Sequence, residues 1–346
     1  MRALRYESFG GPVTIEDVPE PTPTPQDAIV EVARTGLCRS DYRAWMGHDA
    51  DVALPCIPGH EYTGIVRAAP SVPHLVGRRV AVPFVIACGD CPECQHGNGQ
   101  VCRFQRQPGF TDPGSFAEFV LVPRARVNLV PLPDGIGDDA AASLGCRFGT
   151  AWRALTRVAG VRPGDTVVVF GAGGVGLAAI MIASAMDAEV VAVDVNDEAL
   201  ALADRLGAHA VPVGARHRPA DIAEQVREIL PDGASIGVDA VGSSGMATAS
   251  LLSLRRRGRH VQVGLLNAPT TALPLADIVS RELTVLGSHG MAASDYPDLL
   301  ARVEAGALQP QLLVTGTVGL AGAANALTGM GSSSQPSGIR LVDPKS

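Results

Sequence analysis

Apolar runs of strand length and of helix length alternate through the middle of the chain, from about Val161 onward. The run Thr166–Phe170 has the length of a buried strand, and it leads through glycines into the apolar run 177–186, which has the length of a helix. A second strand-like run at 190–195 and a helix-like run at 198–206 repeat this order. Strands that alternate with helices are typical of a doubly wound, parallel α/β sheet. We predict further strands of this sheet at residues 236–240, 260–264 and 283–287.

Short β-type runs separated by proline and glycine occupy the first two fifths of the chain, with examples at residues 28–33 and Arg79–Val82. Such runs between turn signals predict a mostly β domain. The last part of the chain has a helical pattern at 295–304 and a strand-like run at 338–342, which we expect to return to this first domain. The serine-rich residues 331–338 are predicted to form an exposed loop.

The overall composition narrows the class of protein. The 346 residues, 46% of them hydrophobic, can bury two domain cores, and a net charge of −7 gives no basis for a nucleic-acid-binding surface. The N-terminal residues lack the apolar segment of a signal peptide, and we expect a cytoplasmic protein. The uncharged stretch 166–186 has the length of a membrane span, but four glycines interrupt it, and a strand, a turn and a helix suit it better.

Four cysteines at C-x2-C-x2-C-x7-C spacing form the densest chemical motif, which consists of Cys88, Cys91, Cys94 and Cys102. Four thiolates fill the tetrahedral coordination of one Zn²⁺ and leave no place for water or substrate, so the motif predicts a structural zinc site. An iron–sulfur cluster could use a similar spacing. Disulfides or scattered core thiols are the remaining alternatives, although dense spacing without export features is typical of a metal site.

A glycine-rich turn follows the first predicted strand of the α/β domain and opens its first helix. Its sequence is Gly171-Ala172-Gly173-Gly174-Val175-Gly176. The glycines allow close approach of a pyrophosphate, and the helix N-terminus offers free N–H groups. Asp194 ends the next strand, eighteen residues after Gly176, where its carboxylate can accept hydrogen bonds from an adenosine ribose. Asp197 and Glu198 follow without a nearby Lys or Arg, so a 2′-phosphate would be repelled and NAD is favoured over NADP. A glycine-rich turn beside a surface aspartate is the alternative.

Soft ligands recur on three separate segments of the chain, as Cys38, His60 and Cys146. Two thiolates and one imidazole cancel the charge of Zn²⁺ and leave a fourth position open for an alcohol or carbonyl oxygen, as a catalytic zinc requires. Each residue alone is more often a buried side chain than a ligand. The prediction therefore depends on their combination.

Taken together, these motifs make the chain similar to the zinc-dependent alcohol dehydrogenases of the medium-chain dehydrogenase/reductase superfamily. The resemblance extends from Cys38 to Arg340. It implies a mostly β GroES-like catalytic domain at residues 1–147 and 289–346, a Rossmann NAD-binding domain at 148–288, and an active site in the cleft between them. It also implies two zinc ions per chain, NAD as the cofactor, and a homodimer or homotetramer.

The resemblance assigns roles to residues around both metals. The three separate ligands would bind the catalytic zinc, and the four clustered cysteines would bind the structural zinc. Asp41 would hold the other ring nitrogen of His60, and Glu61 would lie behind the metal as a transient ligand. Ser40 matches the hydroxyl that takes the substrate proton.

Contacts with cofactor and substrate follow from the same resemblance. Besides the glycine turn and Asp194, the implied cofactor-binding residues are Arg39, Val263, Gly264, Ser288 and Arg340. Trp45 and Phe84 match positions of the substrate pocket wall. The alternative for both is a role as ordinary core residues.

Two residues stand apart from the family pattern. Arg43 occupies a position where many members carry a histidine that relays the proton. Because arginine stays protonated, it cannot act as a general base, and we expect water near the ribose to complete the path. Cys56 matches no ligand and is expected to be a buried bystander.

The predicted function is reversible hydride transfer between NAD and a primary or secondary alcohol, with an aldehyde or ketone as the product. One alternative is a polyol or sugar dehydrogenase of the same superfamily, whose members often use a carboxylate as the third zinc ligand and a more polar pocket. The other is a zinc-stabilised nucleotide-binding protein without turnover.

Overall fold

The computed structural model describes residues 1–214, 216–266, 270–331 and 337–346. The chain forms two compact units, one from Met1–Gly149 with Gly290–Ser346 and the other from Thr150–His289. Most of the serine-rich stretch that was predicted to be a loop, residues 332–336, lies outside the described residues. Among the described helices, none has both the length and the apolar character needed to cross a membrane.

The described residues form strands and helices that we number in chain order. The strands are β1 (Arg2–Tyr6), β2 (Val13–Asp17), β3 (Ala28–Leu37), β4 (Tyr62–Ala68), β5 (Arg79–Val82), β6 (Phe119–Val122), β7 (Val130–Pro131), β8 (Thr166–Phe170), β9 (Glu189–Asp194), β10 (Ala208–Pro212), β11 (Ala234–Asp239), β12 (Leu254–Gln262), β13 (Thr284–Gly287), β14 (Val314–Gly319) and β15 (Ile339–Asp343). The α-helices are α1 (Arg39–Trp45), α2 (Pro92–Gln95), α3 (Ala125–Asn128), α4 (Asp138–Ala142), α5 (Gly149–Arg153), α6 (Gly174–Ser184), α7 (Asp197–Arg205), α8 (Pro219–Ile229), α9 (Ser244–Ser253), α10 (Leu275–Ser280), α11 (Tyr296–Glu304) and α12 (Leu320–Gly329). Two π-helical turns lie at Leu144–Phe148 and Ala154–Ala159. Short 3₁₀ turns lie at Pro73–Leu75, Gly99–Val101, Ala293–Asp295 and Pro310–Leu313.

The unit Thr150–His289 contains a six-stranded sheet in the order β10-β9-β8-β11-β12-β13. All of its strand pairs are parallel. The first strand of the unit, β8, therefore lies at the centre. The chain continues from it to β9 and β10 on one side and then crosses to β11, β12 and β13 on the other. Ligands of such doubly wound sheets bind at the carboxyl ends of the strands where this reversal occurs. This confirms the predicted Rossmann sheet.

Burial explains why the stretch from β8 to α6 is so apolar. Residues Val167 to Phe170 of the strand are completely buried, and α6 is buried along most of its length, from Gly176 to Ala183. A helix that is covered on all sides needs no polar face, so its sequence shows little amphipathic periodicity. The uncharged stretch 166–186 is thus a strand, a glycine turn and a helix.

The other unit is built around a seven-stranded sheet in the order β14-β15-β3-β4-β5-β7, with β6 also paired to β3. All pairs in it are antiparallel except β14 with β15. The ten-residue strand β3 is central, because it pairs with β4 along one edge and with β6 and β15 along the other. Strand β15 thus completes the sheet that β3 begins, while β1 and β2 form a separate two-stranded sheet. The mostly β character of this unit is confirmed.

Candidate metal centres and dinucleotide-binding site

The four clustered cysteines converge on one point next to α2. Cys91 is the N-cap of this short helix, Cys94 lies within it, and Cys102 follows the 3₁₀ turn Gly99–Val101. The Sγ atom of Cys91 lies 3.4 Å from that of Cys94 and 3.7 Å from that of Cys102, and the Sγ atoms of Cys88 and Cys94 are 3.9 Å apart. Four thiolates in one tight group are a donor set that fits a tetrahedral Zn²⁺.

Backbone N–H groups point at the sulfur atoms of this cluster. The Cys88 sulfur accepts from the N–H groups of Asp90 and Cys91, and the Cys102 sulfur accepts from those of Cys88 and Phe104. Burial alone would raise the pKa of Cys88, but these N–H donors outweigh it and bring the pKa to about 6. Cys88 therefore favours its thiolate form before any metal binds. Burial instead raises the pKa of Cys91 and, together with the Cys91 thiol, brings the pKa of Cys94 to about 12.

The cysteines are not paired with one another covalently. All seven are free, so the disulfide alternative is wrong. Cys56, which matched no family ligand, belongs to neither ligand group. It is buried, and its thiol donates to the carbonyl oxygen of Gly109 at 3.3 Å.

Cys38, His60 and Cys146 come together from three separate elements. Cys38 is the N-cap of α1 just after β3, His60 precedes β4, and Cys146 lies in the π-helical turn Leu144–Phe148. Their ligand atoms all lie within 4.8 Å of one another, and all three side chains are buried. Cys38 and His60 come together because the end of β3 pairs with the start of β4, as Thr35 does with Tyr62.

The His60 ring is held by Asp41 on one side and is free on the other. Its Nδ1 atom lies 2.8 Å from Oδ1 of Asp41, whereas its Nε2 atom is buried and has no hydrogen-bond partner. Asp41 is itself fixed, because it accepts from the N–H groups of Cys38 at 2.9 Å and Gly59 at 3.1 Å. A buried nitrogen without a partner is costly unless something binds it. Together with the two thiols, it makes a site that fits one metal ion.

Electrostatic coupling within this group separates the two thiols. The Cys146 thiol beside Cys38 holds the pKa of Cys38 well below its usual range, despite burial, and His60 acts in the same direction. The same contact, together with burial, raises the pKa of Cys146. Burial would lower the pKa of His60, but the Asp41 carboxylate outweighs it and raises that pKa.

Glu61 and Arg147 form a buried ion pair that sequence reasoning did not find. The Glu61 carboxylate accepts from the backbone N–H groups of Cys146 at 3.2 Å and Arg147 at 2.8 Å, and from the Arg147 guanidinium, whose Nε lies 2.8 Å away. Arg147 also donates to the carbonyl oxygen of Leu37 at 3.1 Å. The pair thus ties the turn that carries Cys146 to the end of β3, next to Cys38. The only sequence signal was the position of Arg147 directly after a predicted ligand.

Aromatic rings line His60. The Phe84 ring packs edge-on against the imidazole with centroids 6.0 Å apart, and the Phe110 ring does so at 5.4 Å. Phe110 was not singled out from the sequence. Trp45 instead lies in a buried cluster with Leu37 and Tyr6, where its indole N–H donates to the carbonyl of Gly11.

The remaining predicted residues of this unit lie on α1 and β15. Ser40 is half-buried in the first turn of α1, and its Oγ accepts from the Cys38 thiol at 3.7 Å. Arg39 is exposed, and Arg340 lies on β15 opposite Leu37 of β3. Arg43 lies in the last turn of α1.

The glycine turn in the other unit has the form that a dinucleotide site requires. Gly173 caps α6 without any side-chain hydrogen bond, so the first N–H groups of the helix have no side-chain cap. A Cβ atom on Gly176 would lie 1.7 Å from the carbonyl oxygen of Gly171, so only glycine fits there. Gly174 and Val175 are the first residues of α6.

Asp194 ends β9 beside this turn. Its Oδ2 accepts from the N–H of Ala172 at 2.5 Å, and its Oδ1 accepts from that of Asn196 at 2.9 Å. A carboxylate offers about four acceptor positions, so acceptor capacity remains for ribose hydroxyls. Val263 and Gly264 follow β12, and the N–H of Ser288, just after β13, donates to the carbonyl of Gln262 at 3.0 Å.

Two family models match the chain, the alcohol dehydrogenase GroES-like domain over residues 24–134 and the zinc-binding dehydrogenase over residues 174–305. An alcohol dehydrogenase of Geobacillus stearothermophilus is 35% identical over 305 residues, which cover 87% of this chain and 88% of that protein. A sorbitol dehydrogenase of Halalkalibacterium halodurans is 29% identical over 322 residues, covering 91% of this chain and 92% of that protein. The solved structure of alcohol dehydrogenase TADH from Thermus sp. ATN1 is similar with a TM-score of 0.89 at 32% identity, and 99% of each chain is covered.

Proposed function

Because the chain belongs to the zinc-binding alcohol dehydrogenases of the medium-chain dehydrogenase/reductase superfamily, we propose that it oxidises primary or secondary alcohols to aldehydes or ketones with NAD⁺ and catalyses the reverse reduction. The family fixes the coarser reaction, a zinc-dependent dehydrogenation with NAD(P). The observation that carries the proposal is the buried group of Cys38, His60 and Cys146, in which Nε2 of His60 has no partner.

Cys38, His60 and Cys146 would hold the catalytic zinc, and Cys88, Cys91, Cys94 and Cys102 would hold the structural one. Zn²⁺ at the first site would act as a Lewis acid that lowers the pKa of an alcohol. The chain positions these ligands through hydrogen bonds behind them. Asp41 fixes the ring orientation of His60, and Glu61 with Arg147 fixes the turn that bears Cys146. We propose this bracing role for Glu61 in addition to the transient ligation that the family resemblance implies.

Ser40 is our candidate for the group that accepts the alcohol proton. Its hydroxyl lies beside the Cys38 sulfur and is half-buried, so a proton can pass from it toward solvent. Arg43, in the last turn of the same helix, stays protonated and cannot continue the relay. We propose that water completes the path and that Arg43 acts as a fixed positive charge.

The choice of NAD depends on Asp194. Its carboxylate would accept hydrogen bonds from the ribose hydroxyls and would repel the additional phosphate of NADP. Val195 follows it and is 67% exposed, so a basic side chain fits at that position. We expect Asp194→Gly combined with Val195→Arg to shift preference toward NADP, measured as the ratio of kcat/KM for the two cofactors. An unmodified protein that used NADP better than NAD would contradict this assignment.

The aromatic rings of Phe84 and Phe110 around His60 favour an alcohol with an apolar substituent over a polyol. A polyol dehydrogenase is the second candidate, because a sorbitol dehydrogenase is among the relatives. Zinc-loaded protein should therefore be tested with NAD⁺ and primary, secondary and aromatic alcohols beside sorbitol, with NADH absorbance as the readout. Higher kcat/KM for sorbitol would favour the second candidate, and no NADH from any substrate would favour a non-catalytic nucleotide-binding protein.

We also propose a cytoplasmic homodimer or homotetramer. Large apolar side chains are exposed on α10 and on the edge strand β13, with Leu275 at 68%, Val279 at 76% and Val285 at 42%. Large apolar side chains that gather into an exposed patch mark association surfaces, and we propose that these three belong to one. Seven free thiols are in keeping with a reducing compartment. The mass measured by light scattering during gel filtration tests the assembly, and a monomer at micromolar concentration would contradict it.

A further inference from the structure

Three turns pack against one another at the carboxyl edge of the six-stranded sheet. They follow β8, β11 and β12, and glycine allows each contact. A Cβ atom on Gly171 would lie 2.6 Å from Cγ2 of Val241, one on Gly242 would lie 2.3 Å from the carbonyl oxygen of Leu265, and one on Gly264 would lie 2.3 Å from the N atom of Gly242. The three turns are therefore in close contact at positions that leave no room for a side chain.

Asp239, at the end of β11, joins two of these turns with its carboxylate and its backbone. The side chain is completely buried, and its Oδ1 accepts from the N–H groups of Val241 at 2.8 Å and Gly242 at 2.9 Å. Its backbone carbonyl accepts from the N–H groups of Val263 at 3.0 Å and Gly264 at 2.8 Å. One residue thus holds the turn after β11 and the turn after β12.

Gln262 completes the connection from the other side. Its Nε2 donates to Oδ2 of Asp239 at 3.1 Å and to the carbonyl oxygen of Gly264 at 2.8 Å. Because both of these partners can only accept, the amide orientation is fixed and Oε1 must face His260, whose Nε2 lies 3.2 Å away. His260 then carries its proton on Nε2, and its Nδ1 accepts from the hydroxyl of Ser250 at 2.8 Å. The chain of hydrogen bonds is buried at Ser250 and half-buried at Gln262, and its donors all point in one direction, from α9 to Gly264.

The order of the strands in the sheet indicates which part of a bound dinucleotide lies next to these turns. The pyrophosphate belongs at the N-terminus of α6, and Asp194 on β9 takes the adenosine ribose on one side of β8. The other half of the cofactor must then extend over β11 and β12, on the opposite side of β8. The turns held by Asp239 and Gln262 are the ones it reaches.

On the basis of the proposed function, we propose that Asp239 and Gln262 are positioning residues for the nicotinamide half of the cofactor. Neither side chain is required to touch the nucleotide. Their hydrogen bonds hold the turn at Val263 and Gly264 in place, so that its backbone is ready when the nicotinamide arrives. The adenosine half, on the other side of β8, does not depend on them.

Gln262→Glu tests this assignment, because it keeps the shape of the side chain and replaces its donors by acceptors facing Asp239 and Gly264. The dissociation constants of NAD⁺ and ADP-ribose are measured by calorimetry on zinc-loaded protein, since ADP-ribose lacks the nicotinamide. We expect NAD⁺ to bind at least about tenfold more weakly, the size expected when a hydrogen bond to a charged group is lost. ADP-ribose should change by less than about twofold. Glu228→Gln makes the reverse exchange at an exposed position of α8 in the same unit and should leave both constants unchanged.

A second variant restores the hydrogen bond with its polarity reversed. In Asp239→Asn combined with Gln262→Glu, the new amide can donate to the new carboxylate while its oxygen still accepts from Val241 and Gly242. We expect this pair to recover part of the NAD⁺ affinity lost in Gln262→Glu. If Gln262→Glu does not fold, as judged by thermal unfolding, Gln262→Met removes the same hydrogen bonds without adding a charge and is put through the same comparison.

Equal weakening of both nucleotides would show a general disruption of the unit and would overturn the inference, as would unchanged NAD⁺ binding. Wild-type protein that bound neither nucleotide would refute the proposed function itself, and this inference with it. Wild-type binding of both, with no selective loss in the variants, would refute the inference alone.

Discussion

The two sulfur-rich centres in the unit Met1–Gly149 with Gly290–Ser346 are built in different ways. The four-cysteine lobe uses residues close in sequence, and backbone N–H groups support its sulfur atoms. The Cys38, His60 and Cys146 centre joins three distant segments and depends on buried charged side chains behind the ligands. A local centre can be held by the chain that carries it, whereas a dispersed one needs further long-range contacts.

An Arg–Glu pair near each centre shows the same contrast. Arg147 and Glu61 are buried, with 7% and 0% of their side chains exposed. Arg103 and Glu93, on the four-cysteine lobe, are 54% and 28% exposed. Water screens the second ion pair but not the first. The same two residue types therefore contribute differently to the stability of the fold.

Chelation should separate the two centres most clearly. Four thiolates enclose one metal, whereas three protein ligands leave the other with an exchangeable position. We expect a mild chelator to remove one zinc and all activity while the protein stays folded. Metal analysis measures the zinc content, and circular dichroism measures whether the fold is retained. A folded, active protein that contains a single zinc would contradict this prediction.

Removal of the buried guanidinium should have the next largest effect. Arg147→Met leaves the carboxylate of Glu61 buried without its partner, which costs roughly 3–5 kcal/mol in the free energy of unfolding. Chemical denaturation of the zinc-loaded protein measures it. The matched control, Arg103→Met on the four-cysteine lobe, should leave stability unchanged, and equal losses in the two variants would remove the distinction between the centres.

A variant in the proposed proton relay should separate zinc binding from turnover. Ser40→Ala removes a hydroxyl next to Cys38 but no ligand, so zinc content should stay at two per chain. Turnover should fall by roughly 10²-fold, as is typical when a positioned proton-transfer group is lost. Steady-state kinetics and metal analysis check the two parts. Unchanged turnover, under conditions where chemistry limits the rate, would assign the relay to another group.

The smallest effect concerns a buried histidine away from both centres. Burial lowers the pKa of His260 below 6.5, although Gln262 and Asp239 oppose the shift. The folded protein therefore keeps this ring neutral, while the unfolded chain takes up a proton near pH 6.5. Its contribution to stability is present above that pH and is lost as the pH falls through the lower folded pKa.

The expected slope from His260 is at most about 1.4 kcal/mol per pH unit, the value for one proton. His260→Gln should flatten the stability curve below that pH. His209→Gln, at a side chain that is 59% exposed, should leave the curve unchanged. Parallel curves for wild type and His260→Gln would show that the ring does not titrate in this way.

Most of the fold and most of the candidate sites could be predicted from patterns that are local in the sequence. The four-cysteine spacing, the glycine turn and the alternation of apolar runs each lie within a short segment, so the sequence displays them directly. The dispersed ligands Cys38, His60 and Cys146 could be grouped by their ligand chemistry, but nothing local connects them, and the resemblance to a family was needed to strengthen the grouping.

Partners far apart in sequence could not be predicted. Arg147 reads as a surface residue, and only its contact with Glu61, 86 positions away, explains its burial. Asp239, Gln262 and His260 lie within strands, where hydropathy suggests nothing about a hydrogen-bonded chain. Strand β12 begins at Leu254, whereas the predicted strand began at residue 260. The prediction missed the first part because Arg255 to Arg257 do not have the apolar character of a buried strand.

The pairing of β15 with β3 has a consequence for the order in which the molecule can be made. The ribosome delivers β3 about 300 residues before β15, so the edge of β3 beside Cys38 has no partner strand until Ile339–Asp343 has been made. All six strands of the parallel sheet, in contrast, lie between residues 150 and 289 and emerge together. The unit Thr150–His289 can therefore fold before the sheet that contains β3 and β15 is complete. A chain stopped after residue 289 should resist protease only in its second part, and resistance in both parts would contradict this order.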